Sequence, residues 1–159
     1  MSLAPLSTAP IYAAATLVLA VSARAQELSP VSDWDQSDAP PAANENNDRF
    51  GDVLATGDFN GDGFGDLAVG SPLENNGNVA DGGSVTVFFG SATGLVADGA
   101  QVLTEADVEN STSEPNDRFG WSLAAGDIDN DGFDELVVGV PFEDIGKIVD
   151  TGNVAVIYG

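Results

Sequence analysis

Gly57–Pro72 reads GDFNGDGFGDLAVGSP, and Gly126–Pro141 reads GDIDNDGFDELVVGVP. The second stretch repeats the first at an offset of 69 residues, placing Gly57 on Gly126. The match extends outward on both sides. ENNDRFG at 45–51 returns as EPNDRFG at 114–120, and DGGSVTVFFG at 81–90 returns as DTGNVAVIYG at 150–159. Residues 45–90 and 114–159 therefore align without a gap, with about half of the positions identical. A repeat of this size is one supersecondary unit that cannot bury its apolar face alone and must stack on copies of itself.

Each copy is built from short strands. Val53–Gly57 is a brief apolar segment ending at a glycine, and Asp66–Gly70 reads as a buried strand. Ser84–Gly90 alternates and is rich in β-branched and aromatic residues, which marks a strand most clearly. Ala100–Leu103 is a candidate fourth strand. The second copy offers Ser122–Gly126, Glu135–Gly139 and Asn153–Tyr158. No helical periodicity of useful length occurs after the N-terminal segment. The expected fold is all-β, with four-stranded units in tandem as in a partial β-propeller. The unit is long for a blade, so one connection must be long, and Gly70–Gly83 is the candidate.

The chemistry lies in the turn after the first strand of each unit. Asp58, Asn60, Asp62 and Asp66 occupy positions 1, 3, 5 and 9 of a loop, and Asp127, Asp129, Asp131 and Glu135 occupy them in the second copy. Alternate spacing turns every second side chain toward one point. Gly63 and Gly132 at position 6 allow a backbone bend that a side chain would resist. Phe64 and Phe133 at position 7 are then placed to offer a carbonyl inward and a ring outward. Converging carboxylates repel one another without a cation. Calcium accepts six to eight oxygens in tolerant geometry and fits better than magnesium. The pattern is the first half of an EF-hand loop. It lacks the rest: position 12 is Val69 or Val138, and both flanks are strand-like. The competing reading is an Asp/Asn/Gly hairpin turn that holds no ion.

Arg49-Phe50-Gly51 and Arg118-Phe119-Gly120 precede these loops, and Gly70-Ser71-Pro72 and Gly139-Val140-Pro141 follow them. That combination resembles the FG-GAP repeat, which builds the β-propeller of integrin α subunits and of many secreted bacterial proteins. The resemblance covers residues 45–159. It implies one blade per repeat, with Ca2+ held in the loop between the first two strands of each blade. Its implied ligands are Asp58, Asn60, Asp62, Asp66 and the Phe64 carbonyl, then Asp127, Asp129, Asp131, Glu135 and the Phe133 carbonyl. Glu135 departs from the usual Asp and adds a methylene. With four carboxylates against three and an amide, the second loop is expected to bind calcium more tightly.

Other repeated residues have structural readings. Phe50 and Phe119 should fill the interface between blades. Arg49 and Arg118 should pair with acids or cap carbonyls, and Glu74 and Glu143 should orient a loop. Asn110-Ser111-Thr112 is a glycosylation sequon, meaningful only in a source that modifies secreted proteins.

Composition limits the function. The chain has 159 residues, 26 acidic and four basic side chains, and a formal charge of −22. That balance disfavours nucleic acid and anionic membranes and favours cations. Absence of histidine and cysteine removes thiolate chemistry and any His-dependent triad. A metal site must be built from oxygen, which selects hard cations.

Residues 1–25 contain no acid, carry the apolar run Ile11–Val21, and end in Ala23-Arg24-Ala25. This reads as a cleaved secretory signal, although no Lys or Arg precedes the run; the alternative is an uncleaved anchor or a misplaced start. Residues 26–44 read as a linker with a single strand near Val31–Trp34, which sits 69 residues before Leu103 in register with the fourth strand. The division is then a signal at 1–25, a linker at 26–44, a first blade at 45–113 and a truncated second blade at 114–159.

A propeller closes with four to eight blades, so further blades from the same or another chain are expected. The functional expectation is a secreted, calcium-binding, non-enzymatic module for extracellular protein interaction or adhesion, in the periplasm or on the cell surface if bacterial. The alternative is an accessory domain of a secreted, phospholipase-like hydrolase. A purely structural spacer is a third reading.

Overall fold

Two antiparallel meanders follow one another along the chain. A computed structural model describes residues 33–40, 42 and 44–159. The signal segment and Val31 lie outside these residues. In the first sheet, β1 (Val53–Gly57), β2 (Asp66–Ser71), β3 (Ser84–Phe89) and β4 (Val96–Leu103) pair in the order β1-β2-β3-β4. In the second, β5 (Ser122–Gly126), β6 (Glu135–Val140) and β7 (Asn153–Ile157) pair in the order β5-β6-β7. The molecule is an all-β partial propeller with one four-stranded blade and a second sheet of three strands. The registers coincide after the 69-residue shift: Gly57 faces Asp66 as Gly126 faces Glu135.

The strands lie close to their expected positions. The main difference is β4, which starts at Val96 because a register shift between Val87 and Phe89 lets Phe89 pair with Val96. Gly70–Gly83 is indeed the long connection, and it folds back on itself through an Asn76–Val79 bridge.

Period-2 alternation decides the packing. Ala68, Val85 and Val87 point from one face of the first sheet into a core that also holds Phe119, Leu136, Val138, Val140 and Ala155. The sheets thus stack front to back, with Phe119 fully buried between them. The opposite face of the first sheet presents Val69, Phe88 and Leu67, covered by Phe50, Trp34 and Ala39. Trp34 stacks on Phe88 at 4.9 Å, and Phe50 meets the same ring edge-on at 6.4 Å. Both FG phenylalanines therefore pack against the sheet of their own repeat. On the far face of the second sheet, Val154, Val156 and Tyr158 are exposed.

Backbone bonds sew the sheets together. Asn116, Arg118 and Phe119 donate their N–H groups to Ala80, Asp81 and Gly82 carbonyls at 2.9, 3.3 and 2.9 Å. The approach is close enough that a Cβ on Gly83, which has φ +79°, would overlap the Phe119 backbone.

The described part of the 26–44 stretch forms a 3-10 turn, Gln36–Asp38, after Asp35. Asp33 and Trp34 are not in a strand. A second 3-10 turn, Glu105–Asp107, follows Thr104 at the corresponding place after β4. The backbone N–H of Asp35 donates to Asp38, and that of Thr104 to Asp107, at 2.9 and 2.8 Å. The structural repeat thus reaches back to residue 35, where sequence identity has faded.

Candidate metal centre

The two acidic loops join β1 to β2 and β5 to β6. In each, position 1 accepts two backbone hydrogen bonds and closes the turn. Asp58 accepts from Asp62 and Gly63 at 3.0 and 2.9 Å, and Asp127 from Asp131 and Gly132 at 3.1 and 3.2 Å. At position 3, Asn60 and Asp129 accept a further bond from the position 5 N–H, at 3.0 and 3.1 Å. Asp62 and Asp131 accept from Phe64 and Phe133 at 2.8 and 2.9 Å. Gly63 and Gly132 sit at φ +86° and +99°, the left-handed bend their position demands.

Position 9 separates the copies. Asp66 is buried, and both oxygens are used: one accepts from Phe59 at 2.9 Å and the other from Gly90 at 2.8 Å. Glu135 is fully buried, its Oε2 accepts from Ile128 at 2.6 Å, and its Oε1 has no partner. In the second loop Asp127, Asp129 and Glu135 bring one carboxylate oxygen each within 4.8 Å of one another. Among the described residues the first loop shows no such trio of acids, because Asn60 stands in place of one and Asp66 is drawn to Gly90. Asp129 is held above its ordinary range, first by desolvation and then by Asp131, Glu135 and Asp127. An orphaned buried oxygen beside two converging carboxylates fits a hard cation.

The loops also touch each other. Asp134 accepts from the Asp58 N–H at 2.8 Å, and its own N–H donates to the Asp58 carbonyl at 3.0 Å. Phe133 lies against Gly61. The sequence reading missed Asp134; the only available signal was the change from Gly65 to Asp134 at position 8.

A second set of acids lies at the other end of the sheets. Glu105, Asp117 and Glu143 are all buried, with one oxygen each within 4.8 Å of the others. Burial, followed by Glu143, pushes the Glu105 carboxyl up to about 8. Burial also raises Asp117 and Glu143. Glu74 and Glu143 were expected to orient a loop; it is their backbone carbonyls that hold one, Glu74 accepting from Gly83 and Glu143 from Thr151 and Gly152, each at 3.0 Å. Arg49 pairs with Asp52 at 3.5 Å, as expected of it. Arg118 pairs with no acid among the described residues. Trp121 replaces Asp52 at the corresponding position, and the guanidinium lies over the Trp121 and Phe142 rings at 5.3 and 4.7 Å.

Among the described residues no helix is long and apolar enough to cross a membrane. The FG-GAP repeat model matches residues 50–88 and 119–157. Phosphatidylinositol-glycan-specific phospholipase D of Mus musculus is 39% identical over 110 residues, covering 69% of this chain and 12% of that protein. Integrin alpha-3 of Mus musculus is 37% identical over 100 residues, covering 62% and 9%. Integrin alpha-PS5 of Drosophila melanogaster is 40% identical over 95 residues, covering 58% and 9%. The chain spans about a tenth of the length of these curated relatives. Two matched repeats, folded in identical register as successive propeller sheets, make this chain a member of the FG-GAP repeat family.

Proposed function

We propose that the chain is a calcium-stabilised β-propeller module that works outside the cell by binding other proteins, as in adhesion, without catalysing a reaction itself. The observation that carries this reading is the trio Asp127, Asp129 and Glu135, with the buried Glu135 Oε1 left unpartnered. Asp131 and the Phe133 carbonyl complete that site. Asp58, Asn60, Asp62, Asp66 and the Phe64 carbonyl form its counterpart in the first loop. The ion's role is to neutralise the turn and pin β1 to β2 and β5 to β6.

The blades are assigned to 45–113 and 114–159, preceded by a link at 26–44 and a secretory signal at 1–25. Extracellular calcium suits sites of this class, which bind at about 10⁻⁴–10⁻³ M. The exposed face of the second sheet is read as the seat of a further blade from the same or another chain. A second reading, an accessory domain beside a hydrolase, is favoured by the similarity to phosphatidylinositol-glycan-specific phospholipase D.

Thermal melting of the full chain in calcium and in chelator tests the calcium reading. At a tenfold excess of ion over Kd, each site should add about 1.4 kcal/mol. Identical melting in both conditions would refute it.

A further inference from the structure

We propose that Glu105, Asp117 and Glu143 form an additional site for a divalent, oxygen-preferring cation, outside both loops and at the opposite end of β6. Glu105 belongs to the 3-10 turn after β4, Asp117 precedes β5, and Glu143 follows β6. Three segments from both repeats therefore supply one acid each. One oxygen of each lies within 4.8 Å of the others, a separation that a single ion with Ca–O bonds of about 2.4 Å can span.

The trio is not a solvated acidic patch. Glu105 is 1% exposed, Asp117 2% and Glu143 6%. Ser111 satisfies Glu105 Oε1 at 2.7 Å, but Glu105 Oε2 and Glu143 Oε2 meet no donor beyond a proton shared between the two carboxyls themselves. Among the described residues neither arginine pairs with the trio: Arg118 stacks on its aromatic pair and Arg49 holds Asp52. Ionising three buried carboxyls with no counter-charge beside them is costly, and a cation would remove that cost.

The protein contains its own control. At the first junction the corresponding residues are Gln36, Asp48 and Glu74. There the Gln36 amide donates to the Glu74 carboxylate, so an N–H stands where the second junction has only oxygens. A second exchange runs the same way. Asn75 donates to Glu45 at 3.0 Å in the first junction, whereas Asp144 and Glu114 are the corresponding pair in the second. Two amide donors have become carboxylates, and the one base gained, Lys147 in place of Asn78, forms no ion pair among the described residues. Glu114, Asp144 and Asp150 add their fields to the trio. A surface cleft of about 570 Å³ lined by Ser111, Glu114, Glu143 and Asn153 gives an ion a route in, and Glu114 Oε2 and Asn153 Oδ1 there also lack partners.

The test is calorimetric titration of the full chain with calcium chloride, in the wild type, Glu105→Gln, Glu143→Gln and Asp127→Asn. Glu105→Gln recreates the first junction's amide, and Glu143→Gln covers the case in which the first variant folds poorly. Both should lose one bound ion per chain, whereas Asp127→Asn should retain that ion. Melting gives a second readout: in chelator Glu105→Gln should melt higher than the wild type, and in calcium lower. Unchanged ion counts in both glutamine variants would overturn the proposal. So would a Glu105→Gln gain that is the same with and without calcium, because the pair would then be sharing a proton. Failure of the loop reading looks different: Asp127→Asn would leave the count unaltered while the junction variants still lowered it.

Discussion

Phe119→Ala should cost about 3–5 kcal/mol of unfolding free energy, the usual range for a phenylalanine removed from a core. The structure supports that end of the scale. The ring is 0% exposed and lies between Ala68, Val85 and Val87 of one sheet and Leu136 and Val138 of the other. A buried phenylalanine hides roughly 150–250 Å². At about 25 cal/mol per Å² this gives ~4–6 kcal/mol as an upper bound, part of which the remaining alanine keeps. The cavity would open at the seam, where the backbone bonds from 116–119 to 80–82 hold both walls in place and limit collapse. Urea denaturation followed by tryptophan fluorescence is the assay, since Trp34 reports on the first sheet through Phe88 and Trp121 on the second through Phe142. The equivalent Phe50→Ala should lose less, because that ring is partly exposed. A Phe119→Ala loss below about 1 kcal/mol, or one no larger than that of Phe50→Ala, would refute the view that this ring couples the sheets.

Gly83→Ala should destabilise by at least ~2 kcal/mol, because both its φ of +79° and the overlap with the Phe119 backbone oppose a Cβ; a neutral result in the same denaturation assay would contradict the close seam. Calcium affinity should fall further for Asp127→Asn than for Asp58→Asn, the second loop having the converging trio and an unpartnered oxygen; calorimetry reporting equal losses would count against it. In chelator, burial makes the folded state favour protonated Glu105, whose carboxyl rises from the ordinary 4.5 to about 8. Its stabilising contribution is then fully present below pH 4.5 and is lost as pH rises through 8, so melting temperature should decline across that window and the decline should flatten in Glu105→Gln.

Much of this architecture is written in the repeat. The β1–β2 and β5–β6 turns were legible because Asp-x-Asp spacing with a position 6 glycine permits few other conformations. The strands were legible from alternation, and Phe119 from its place beside Gly120. What the sequence hid depends on tertiary neighbours. The 3-10 turns at 36–38 and 105–107 share a capping geometry but only Asp38 and Asp107 in composition, so no pattern announced them. Burial of Glu105 was equally hidden: it lies in a polar stretch that reads as a solvated loop, and only the fold brings Ser111, Asp117 and Glu143 around it. Arg118 was misjudged for a related reason. An arginine among acids suggests a salt bridge, yet Trp121 and Phe142 are the partners that the fold brings within reach.

The asymmetry between the copies has a direction. The first repeat fills these positions with neutral residues: the amides Asn60 in the loop and Gln36 and Asn75 at the junction, and Gly65 at position 8. The second places Asp129, Glu105, Asp144 and Asp134 there. Four neutral residues have become acids, and they lie at both ends of β6: the loop at its start, the junction after its end. One of the four, Asp134, reaches across the seam to the Asp58 backbone and finds donors in the neighbouring loop. Asp129, Glu105 and Asp144 each accept one local bond, from Asp131, Ser111 and Asp150, but they also face other acids, so on the proposed reading the second repeat relies on cations where the first supplies hydrogen bonds. Removing divalent ions should therefore loosen the second sheet before the first. In chelator the Trp121 signal should unfold at lower urea than the Trp34 signal, and calcium should bring the two transitions together. Coincident transitions in both conditions would show that the extra acids carry no such dependence.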